Sequence, residues 1–459
     1  MIFRQIIHED LGSAAYLVGD EGTGRAALVD PALQVDEYLR QLRYAGLTLE
    51  HIVETHTHAD RVSGHGQLAA ATGATIHIHR IAGVEYEHEP FEDGWELELG
   101  RVVLRALHTP GHRPEHTSFL VTDRARGDEP WAVLTGDALF VADIGRPDLA
   151  VEPEEGARDL FSSLHDKLLT LPPYVEVWPG HLGGSLCGGP GMDRKVSSTI
   201  GYEREHNPVL AHSDRDRFVA DAIDGLAPQP PRFERIVRVN SGPLQSRPVA
   251  PGPLSPRQLE ARRDAGALVV DVRTDQQFDD AHIPGAVSNT ALRAGFGTKL
   301  AWLVEEGQEV VLVGRDDHDA LAAADLAASV DVTAVSGYLA GGMTSWREDQ
   351  RPVERIERID IDTLHERWEG DQAPQVLDVR DPDEWEAGHL PGSLHRPYHA
   401  IHAVPDGLDP DRPVAVLCAS GQRAGVGASL LQHFGVAEVA HVAGGGVGTW
   451  ERRGWPVER

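Results

Sequence analysis

The chain is poor in cysteine, in positive charge and in long apolar runs. Its 459 residues include two cysteines, Cys187 and Cys418, far apart in sequence, so we expect no disulfide framework and a reducing, cytoplasmic environment. Lysine and arginine number 42 against 72 aspartates and glutamates, and this charge of −30 argues against nucleic acid and anionic membranes as partners. The amino terminus lacks the basic-then-apolar layout of a signal peptide, and no apolar run approaches the roughly 20 residues of a membrane span.

The domain organisation follows from length and from one Pro- and Ser-rich stretch. A chain of 459 residues exceeds one ordinary core. Residues 240–256, NSGPLQSRPVAPGPLSP, have no apolar periodicity and predict a stiff linker. We therefore expect a first domain over 1–244 and two further domains over 254–354 and 355–459.

The two later domains are copies of one another. VVDVRTDQQFDDAHIPGAV at 269–287 matches VLDVRDPDEWEAGHLPGSL at 376–394, and YLAGGMTSW at 338–346 matches HVAGGGVGTW at 441–450. In both copies, short Val- and Leu-rich runs alternate with helical stretches. Each copy is therefore predicted to be an α/β domain with a buried parallel sheet.

The first domain has a different pattern. AAYLVGD and RAALVDP predict a strand hairpin, and VDEYLRQLRYAG predicts a helix that ends at Gly46. HIVETH, TIHIH, RVVLRALH, TSFLVTD and WAVLTGDALF predict further strands, several of which end in polar loops. This order favours a two-sheet sandwich flanked by helices.

Four of those loops carry residues that bind metals. They hold His56, His58 and Asp60 in HTHAD, His112 in TPGH, Asp137 in TGD, and His181 in PGH. Histidine and carboxylate side chains are common metal ligands, and alternate residues of an extended segment point to the same side. The set predicts a metal site.

The motif order H-x-H-x-D, TPGH, GD and PGH resembles the metallo-β-lactamase superfamily over about residues 1–240. The resemblance implies an αββα sandwich, a fold that hosts many chemistries. Two-metal members such as glyoxalase II have histidine directly after the aspartate, where this chain has Arg61. A guanidinium has no lone pair for a metal. Even if Arg61 faces solvent, a ligand is missing, so we expect one metal.

Three further stretches resemble the persulfide dioxygenases, a branch of that superfamily. They are GDALFVADIGRPDL at 136–149, PEHTSF at 114–119 and STIGYEREHNP at 198–208. The resemblance implies that the protein uses O₂ to oxidise the terminal sulfur of a low-molecular-weight thiol persulfide, glutathione persulfide or similar, and releases sulfite and thiol. A zinc hydrolase with His58 as a third ligand is the alternative at this site.

The resemblance also implies roles by motif position. His56, His112 and Asp137 would hold one Fe(II) per chain, His58 and Asp60 would orient those ligands, and His181 would be left without a second metal.

Three more residues are candidates for substrate contact. Arg146, in GRPD, would lie near the substrate, where its charge meets an anion; a structural salt bridge is the alternative. Tyr202 is a second candidate for contact with the thiol substrate. Cys187, in GSLCGG, either contacts sulfur substrates or is a small loop residue.

The last domain carries CASGQRA at 418–424 between a predicted strand and a predicted helix. Successive N–H groups in such a loop form an anion-binding nest, which favours a thiolate at Cys418 and makes it a nucleophile at neutral pH. With DVR, GHLPG and AGGG, this loop resembles the rhodanese family over about residues 355–459. The resemblance implies that Cys418 takes up sulfane sulfur, aided by Arg423. A buried structural cysteine is the alternative.

The preceding copy has the same motif pattern but lacks the cysteine nucleophile. Gly314 stands opposite Cys418 and Asp319 opposite Arg423, in the acidic loop GRDDHD. We predict an inactive rhodanese-like domain used for packing, spacing or docking.

We therefore expect a persulfide dioxygenase fused to two rhodanese-like domains, with the last one active towards thiosulfate. The alternatives are a glyoxalase II-like zinc thioester hydrolase with a sulfurtransferase tail, and a non-enzymatic sulfur carrier or sensor. The residues leave open the thiol carrier and the direction of sulfur flow. A homodimer is the commonest assembly for an oligomer of this kind.

Overall fold

The structure, a computed structural model, describes residues 1–183, 185, 187–189, 191–211, 213–224, 226–246, 248–370 and 373–459. The chain divides into two compact units, which are Met1–Pro248 with Ala328–Asp331, and Val249–Ala327 with Val332–Arg459. Among the described residues, none of the helices has the length and apolar character that crossing a membrane requires.

The first unit contains two sheets that are six-stranded over the described residues. The first sheet runs β1 (Ile2–His8), β2 (Ser13–Gly19), β3 (Arg25–Val29), β4 (Thr48–Val53), β5 (Thr75–His79) and β6 (Glu89–Phe91). The second uses β7 (Glu96–Glu98), β8 (Val102–His108), β9 (Thr117–Asp123), β10 (Ala132–Gly136), β13 (Glu176–Pro179) and β14 (Ser198–Thr199), while β11 (Leu139–Phe140) and β12 (Asp143–Ile144) form a separate hairpin.

Strand β2 shows how the sequence pattern produces the sandwich. Ala14, Tyr16 and Val18 pack between the two sheets, and the alternate residues Ala15 and Leu17 pack beneath the helices. A strand that is buried on both faces needs a continuous apolar run, which SAAYLVG supplies. The predicted two-sheet sandwich with flanking helices is confirmed.

The helices of this unit are α1 (Asp36–Ala45), α2 (His65–Thr72), α3 (Pro153–Ser162), α4 (Ile200–His206), α5 (Arg215–Ile223) and α6 (Phe233–Ser241). Helix α1 begins with acidic residues, which suit the helix dipole, and buries Tyr38 and Leu42. It ends at Gly46, which has a left-handed φ of 66° and closes the helix as predicted.

The segment between helix α6 and the next strand is shorter than the linker predicted over 240–256. Helix α6 extends to Ser241, and Gly252–Leu254 forms strand β15. The linker prediction is wrong at both ends because Asn240 is buried on α6 and because β15 pairs in parallel with a later strand of its own unit.

The second unit contains the two copies, each with a parallel five-stranded sheet over the described residues. The first copy comprises β15, α7 (Pro256–Asp264), β16 (Leu268–Asp271), α8 (Asp275–Asp280), β17 (Val287–Ser288), α9 (Phe296–Leu303), β18 (Val310–Val313), α10 (Asp317–Ser329), β19 (Val335–Leu339) and α11 (Gly342–Glu348). The second comprises β20 (Glu357–Asp360), α12 (Ile361–Trp368), β21 (Gln375–Asp378), α13 (Pro382–Ala387), β22 (Leu394–His395), β23 (Val414–Leu417), α14 (Gln422–His433), β24 (Val439–Gly444) and α15 (Val447–Arg452). Their strand orders, β15-β19-β18-β16-β17 and β20-β24-β23-β21-β22, correspond and confirm the predicted α/β repeats.

The DVR motif that both copies retain is structural. In the first copy Arg273 pairs with Asp271 and donates to the Ala281 carbonyl at 2.8 Å. In the second, Arg380 pairs with Asp378 and donates to the Gly388 carbonyl at the same distance. These buried ion pairs stabilise the fold whether or not a copy carries the cysteine.

Candidate metal site and cysteine loop

The four predicted ligand loops follow strands β4, β8, β10 and β13, and they converge. Ligand atoms of His56, His112 and Asp137 all lie within 4.8 Å of one another, and all three residues are buried. The Nε2 atoms of His112 and His56 lie 3.4 and 3.8 Å from Asp137 Oδ2. The structure thus brings together the three residues that the sequence assigned to the metal.

The facing atoms of this triad fit a metal ion. His56 Nε2, His112 Nε2 and Asp137 Oδ2 are buried and have no hydrogen-bond partner within the described part of the chain. Buried polar atoms are normally hydrogen-bonded. Three such atoms directed at one point therefore match a two-histidine, one-carboxylate metal site.

The far side of each histidine is supported. His112 Nδ1 donates to the Arg146 carbonyl at 2.9 Å. His56 Nδ1 lies 2.9 Å from Thr55 Oγ1, which itself donates to Asp30 Oδ2 at 2.8 Å. Burial lowers the pKa of both histidines, which keeps Nε2 neutral with a lone pair towards the metal position.

Asp137 is fixed through its side chain and its backbone. Its Oδ1 lies 2.8 Å from His181 Nδ1; although burial opposes ionisation, this contact holds the pKa of Asp137 below its usual range. Its N–H donates to His116 Nε2 at 2.9 Å. Gly136 has φ of 50°, and a Cβ there would lie 2.6 Å from His116 Nε2. His116 lies in the PEHTSF stretch, but its contact with the Asp137 backbone could not be predicted from that motif.

His58 faces a second group of acids instead of the triad. Its Nε2 lies 3.2 Å from Glu54 Oε2 and 3.4 Å from Asp30 Oδ1. Burial and Arg61 act to lower the pKa of His58, but the two acids raise it to about 9. A protonated His58 suits a supporting role better than that of a third ligand.

Arg61 is buried, with 1% exposure, so the alternative in which it faces solvent is wrong. Its Nη1 lies 3.3 Å from His181 Nε2 and 3.4 Å from Asp60 Oδ2, and its Nη2 lies 3.4 Å from His58 Nε2. The guanidinium therefore stands among the side chains that would surround a second metal.

Asp60, His181 and Cys187 also bring ligand-type atoms within 4.8 Å. His181 places Nε2 2.9 Å from Asp60 Oδ2 and Nδ1 2.8 Å from Asp137 Oδ1. Burial opposes protonation, but these acids raise the pKa of His181 well above its usual value, while burial raises the pKa of Cys187 to about 12. The cationic side chains of Arg61 and His181 and the protonated thiol of Cys187 disfavour a second metal among these residues.

A residue missed by the sequence reasoning holds the HTHAD loop. Asn240 Nδ2 donates to the carbonyls of His58 and Arg61 at 2.9 and 2.8 Å, and Asn240 Oδ1 accepts from Ser63 N–H at 2.9 Å. One amide thus fixes the backbone that presents the metal loop.

Replacing Asn240 with alanine is expected to lower the free energy of unfolding by about 1–3 kcal/mol, because buried backbone groups lose their partners. It should also weaken metal retention during dialysis. Arg238→Ala is the matched control, since its side chain lies 70% exposed on the same helix. Equal unfolding midpoints in denaturant for both variants would rule out this role.

Two of the three candidates for substrate contact, Arg146 and Tyr202, lie in different surroundings. Arg146 is 4% exposed, and its Nε and Nη2 each lie 2.7 Å from Asp148, which is the salt bridge considered as its alternative. Tyr202, on α4, is 48% exposed, with Lys195 Nζ 5.4 Å from its ring centroid. Substrate contact stays a prediction for both residues.

Cys418 lies at the end of β23 and is buried. Its Sγ accepts from Gly421 N–H at 3.0 Å, directly before α14. Arg423 pairs with Asp381 at 2.8 Å and with Glu384, two acidic partners that the sequence reasoning missed. This N–H contact and the helix start match an anion-stabilising loop.

Family models match both units. The metallo-beta-lactamase superfamily model matches residues 8–181, and the rhodanese-like domain model matches 255–349 and 360–452.

Three known proteins show how far the similarity extends. "Persulfide dioxygenase ETHE1, mitochondrial" of Bos taurus is 32% identical over 244 residues, 52% of this chain and 87% of that protein. A hydroxyacylglutathione hydrolase of Methylococcus capsulatus is 35% identical over 171 residues, 36% of this chain and 60% of that protein. The crystal structure of a metallo-beta-lactamase from Staphylococcus aureus subsp. aureus COL is 29% identical, with a TM-score of 0.66, and covers 74% of this chain and 98% of its own.

Proposed function

Because the chain belongs to the metallo-β-lactamase superfamily and carries two rhodanese-like domains behind a half that matches persulfide dioxygenases, we propose that it oxidises a thiol persulfide and transfers sulfane sulfur. The substrates are a low-molecular-weight thiol persulfide, O₂ and thiosulfate. The observation that carries the proposal is the triad of unpartnered ligand atoms beside the buried Arg61.

His56, His112 and Asp137 would hold a single Fe(II), which supplies redox chemistry with O₂ when bound. Other residues of the chain position these ligands and supply charge around the site. The Arg146 carbonyl and Thr55 fix the two imidazoles, and His116 fixes the Asp137 backbone. Arg61 and His181 supply positive charge where two-metal relatives have a second cation. The site is buried, so bulk water is kept from the reacting sulfur.

The sulfur-transfer step belongs to Cys418. Its thiolate attacks the sulfane sulfur of thiosulfate, the S–S bond breaks, and sulfite leaves with the electron pair. The resulting Cys418 persulfide is attacked at its outer sulfur by an acceptor thiolate, which yields a new persulfide and regenerates the Cys418 thiolate. That product has the chemistry that the metal site would oxidise, and fusion raises its effective concentration.

A thioester hydrolase is the second candidate, favoured by the similarity to a hydroxyacylglutathione hydrolase over 171 residues. The buried Arg61 and the acid-paired His58 weigh against its two-metal or zinc form. The unpartnered triad weighs against a non-enzymatic carrier.

The deciding assay supplies anaerobically purified protein with either a thiol persulfide or a thioester. With the persulfide, O₂ uptake and sulfite formation are measured; with the thioester, release of the thiol is measured. Thioester turnover without O₂ uptake would contradict the dioxygenase proposal.

Restoring the histidine that two-metal relatives have should create a second site. We expect Arg61→His to bind about two metal ions per chain, because it removes a buried cation and adds a lone pair beside Asp60 and His181. Arg61→Lys keeps the charge and should stay at one. The ratio is read by elemental analysis against protein concentration; an unchanged ratio in the histidine variant would show that Arg61 does not block the second site.

A further inference from the structure

His441 lies in the middle of the second copy's sheet, directly behind the cysteine loop. Its strand β24 pairs with β23 at Val416 and with β20 at Arg358, and its side chain is buried. Its Nε2 lies 2.8 Å from the Gly421 carbonyl. Gly421 is also the residue whose N–H donates to Cys418 Sγ at 3.0 Å. The imidazole therefore holds the residue that contacts the sulfur.

The other ring nitrogen of His441 contacts the first copy. Its Nδ1 lies 2.8 Å from Oδ2 of Asp279, a residue of α8 that is 3% exposed. The same carboxylate oxygen accepts from Arg358 Nη1 at 2.8 Å, and Arg358 also lies 3.5 Å from Asp275 Oδ2. The domain without the cysteine thus reaches the cysteine loop through one histidine.

The geometry fixes the protons on His441. Both ring nitrogens face oxygen acceptors, a carboxylate and a carbonyl, so both nitrogens must donate. Arg358 Nη1 donates to the same Asp279 Oδ2, so this oxygen is an acceptor for both neighbours. His441 is then an imidazolium in a charge-assisted pair, buried behind the loop that must hold an anionic sulfur.

Glycines provide the space for this contact. A Cβ on Gly425 would lie 3.0 Å from His441 Cε1, and Gly425 N–H donates to the same Gly421 carbonyl at 2.9 Å. Gly421 itself has φ of 96°, which a side chain would disfavour. Small residues in GQRAGVG therefore have a role beyond the N–H nest of the loop.

The arrangement joins the two copies through residues that are not equivalent between them. The residue of the first copy that corresponds to His441 is Tyr338, which cannot form a cation. The residue of the second copy that corresponds to Asp279 is Glu386, which is exposed. The contact is therefore specific to the pairing of an acid from the cysteine-free copy with a histidine of the cysteine-bearing copy.

We propose that the cysteine-free rhodanese-like domain completes the sulfur-transfer site: Asp279 positions a protonated His441, which fixes the Gly421 peptide so that its N–H stabilises the Cys418 thiolate and persulfide. This inference rests on the proposed sulfur transfer by Cys418. Asp279 and His441 are positioning residues, because neither touches the sulfur.

The test compares Asp279→Asn with Asp280→Asn in the full chain. Asp280 is the exposed neighbour on the same helix, so its variant matches the charge change. For Asp279→Asn we expect kcat of thiosulfate:thiol sulfur transfer to fall by about tenfold, with a smaller change in KM for thiosulfate, because an electrostatic contribution to the reacting sulfur is lost. Asp279→Glu should recover part of the rate.

A second readout reports the thiolate itself. The ultraviolet absorbance of the thiolate is followed against pH, and the signal of the same protein with Cys418→Ser is subtracted. Asp279→Asn should move this titration to higher pH, and Asp280→Asn should leave it in place. A tenfold loss of rate with an unmoved titration would mean a merely structural role and overturn the inference, as would two unchanged readouts.

His441→Gln is a second variant for the same test, in case Asp279→Asn destabilises the fold and unfolds at a lower temperature than the parent protein. Its side chain can still donate to the Gly421 carbonyl but carries no charge, so the same upward shift is expected. The titration needs no substrate. If the parent protein transfers no sulfur, the proposed function fails, while the position of the Cys418 titration still decides the role of Asp279.

Discussion

Replacing His112 with alanine is expected to remove the bound metal and to reduce persulfide-dependent O₂ uptake by at least about 100-fold. Loss of a residue that merely supports a metal ligand already costs about 10–100-fold in affinity or activity, and His112 would be a direct ligand. Its Nε2 is one of three unpartnered buried atoms that face one point. The measurement is metal per chain after gel filtration, followed by O₂ uptake with a thiol persulfide.

His51→Ala is the matched control for this prediction. His51 lies on β4 of the same unit, but its Nδ1 contacts His77 at 2.9 Å and it belongs to no metal-binding group of the described residues. The His51→Ala protein should retain its metal and its persulfide-dependent O₂ uptake. A His112→Ala protein that keeps both would show that the triad is not the metal site.

Replacing Cys418 with serine is expected to lower sulfur transfer from thiosulfate by at least about 1,000-fold, because a serine hydroxyl is a far weaker nucleophile than a thiolate. Oxidation of an added thiol persulfide should continue, since the proposed metal site lies in the other unit. The measurement is thiocyanate formation from thiosulfate and cyanide beside O₂ uptake with persulfide, on one preparation.

The chain offers its other cysteine as the control. Cys187→Ser should keep sulfur transfer, because Cys187 lies beside His181 in the first unit. If Cys418→Ser loses both activities together, the two sites do not divide the work as proposed.

The sequence was sufficient for features that depend on local patterns. The continuous apolar run of β2 predicted a strand buried on both faces, and the histidine and aspartate motifs at strand ends converged because loops at one edge of a sandwich meet. The duplicated DVR and HxPG stretches likewise predicted two α/β copies with parallel sheets.

Contacts between distant segments could not be predicted in this way. Asn240 looked like the start of a linker, yet it lies 182 residues from His58, whose carbonyl it holds. Asp279 and His441 are 162 residues apart and occupy non-equivalent positions in the two copies, so comparison of the repeats gave no signal. The burial of Arg61 likewise depends on His181, which comes 120 residues later.

The most direct test is the metal content of the full chain purified without oxygen. Elemental analysis and O₂ uptake are measured on the same sample, before and after chelation and reloading with either Fe(II) or Zn(II). We predict about one iron per chain, with persulfide-dependent O₂ uptake lost on chelation and restored by Fe(II) alone. Two metal ions per chain, or zinc-loaded protein that hydrolyses thioesters and consumes no O₂, would contradict the proposed mononuclear iron site.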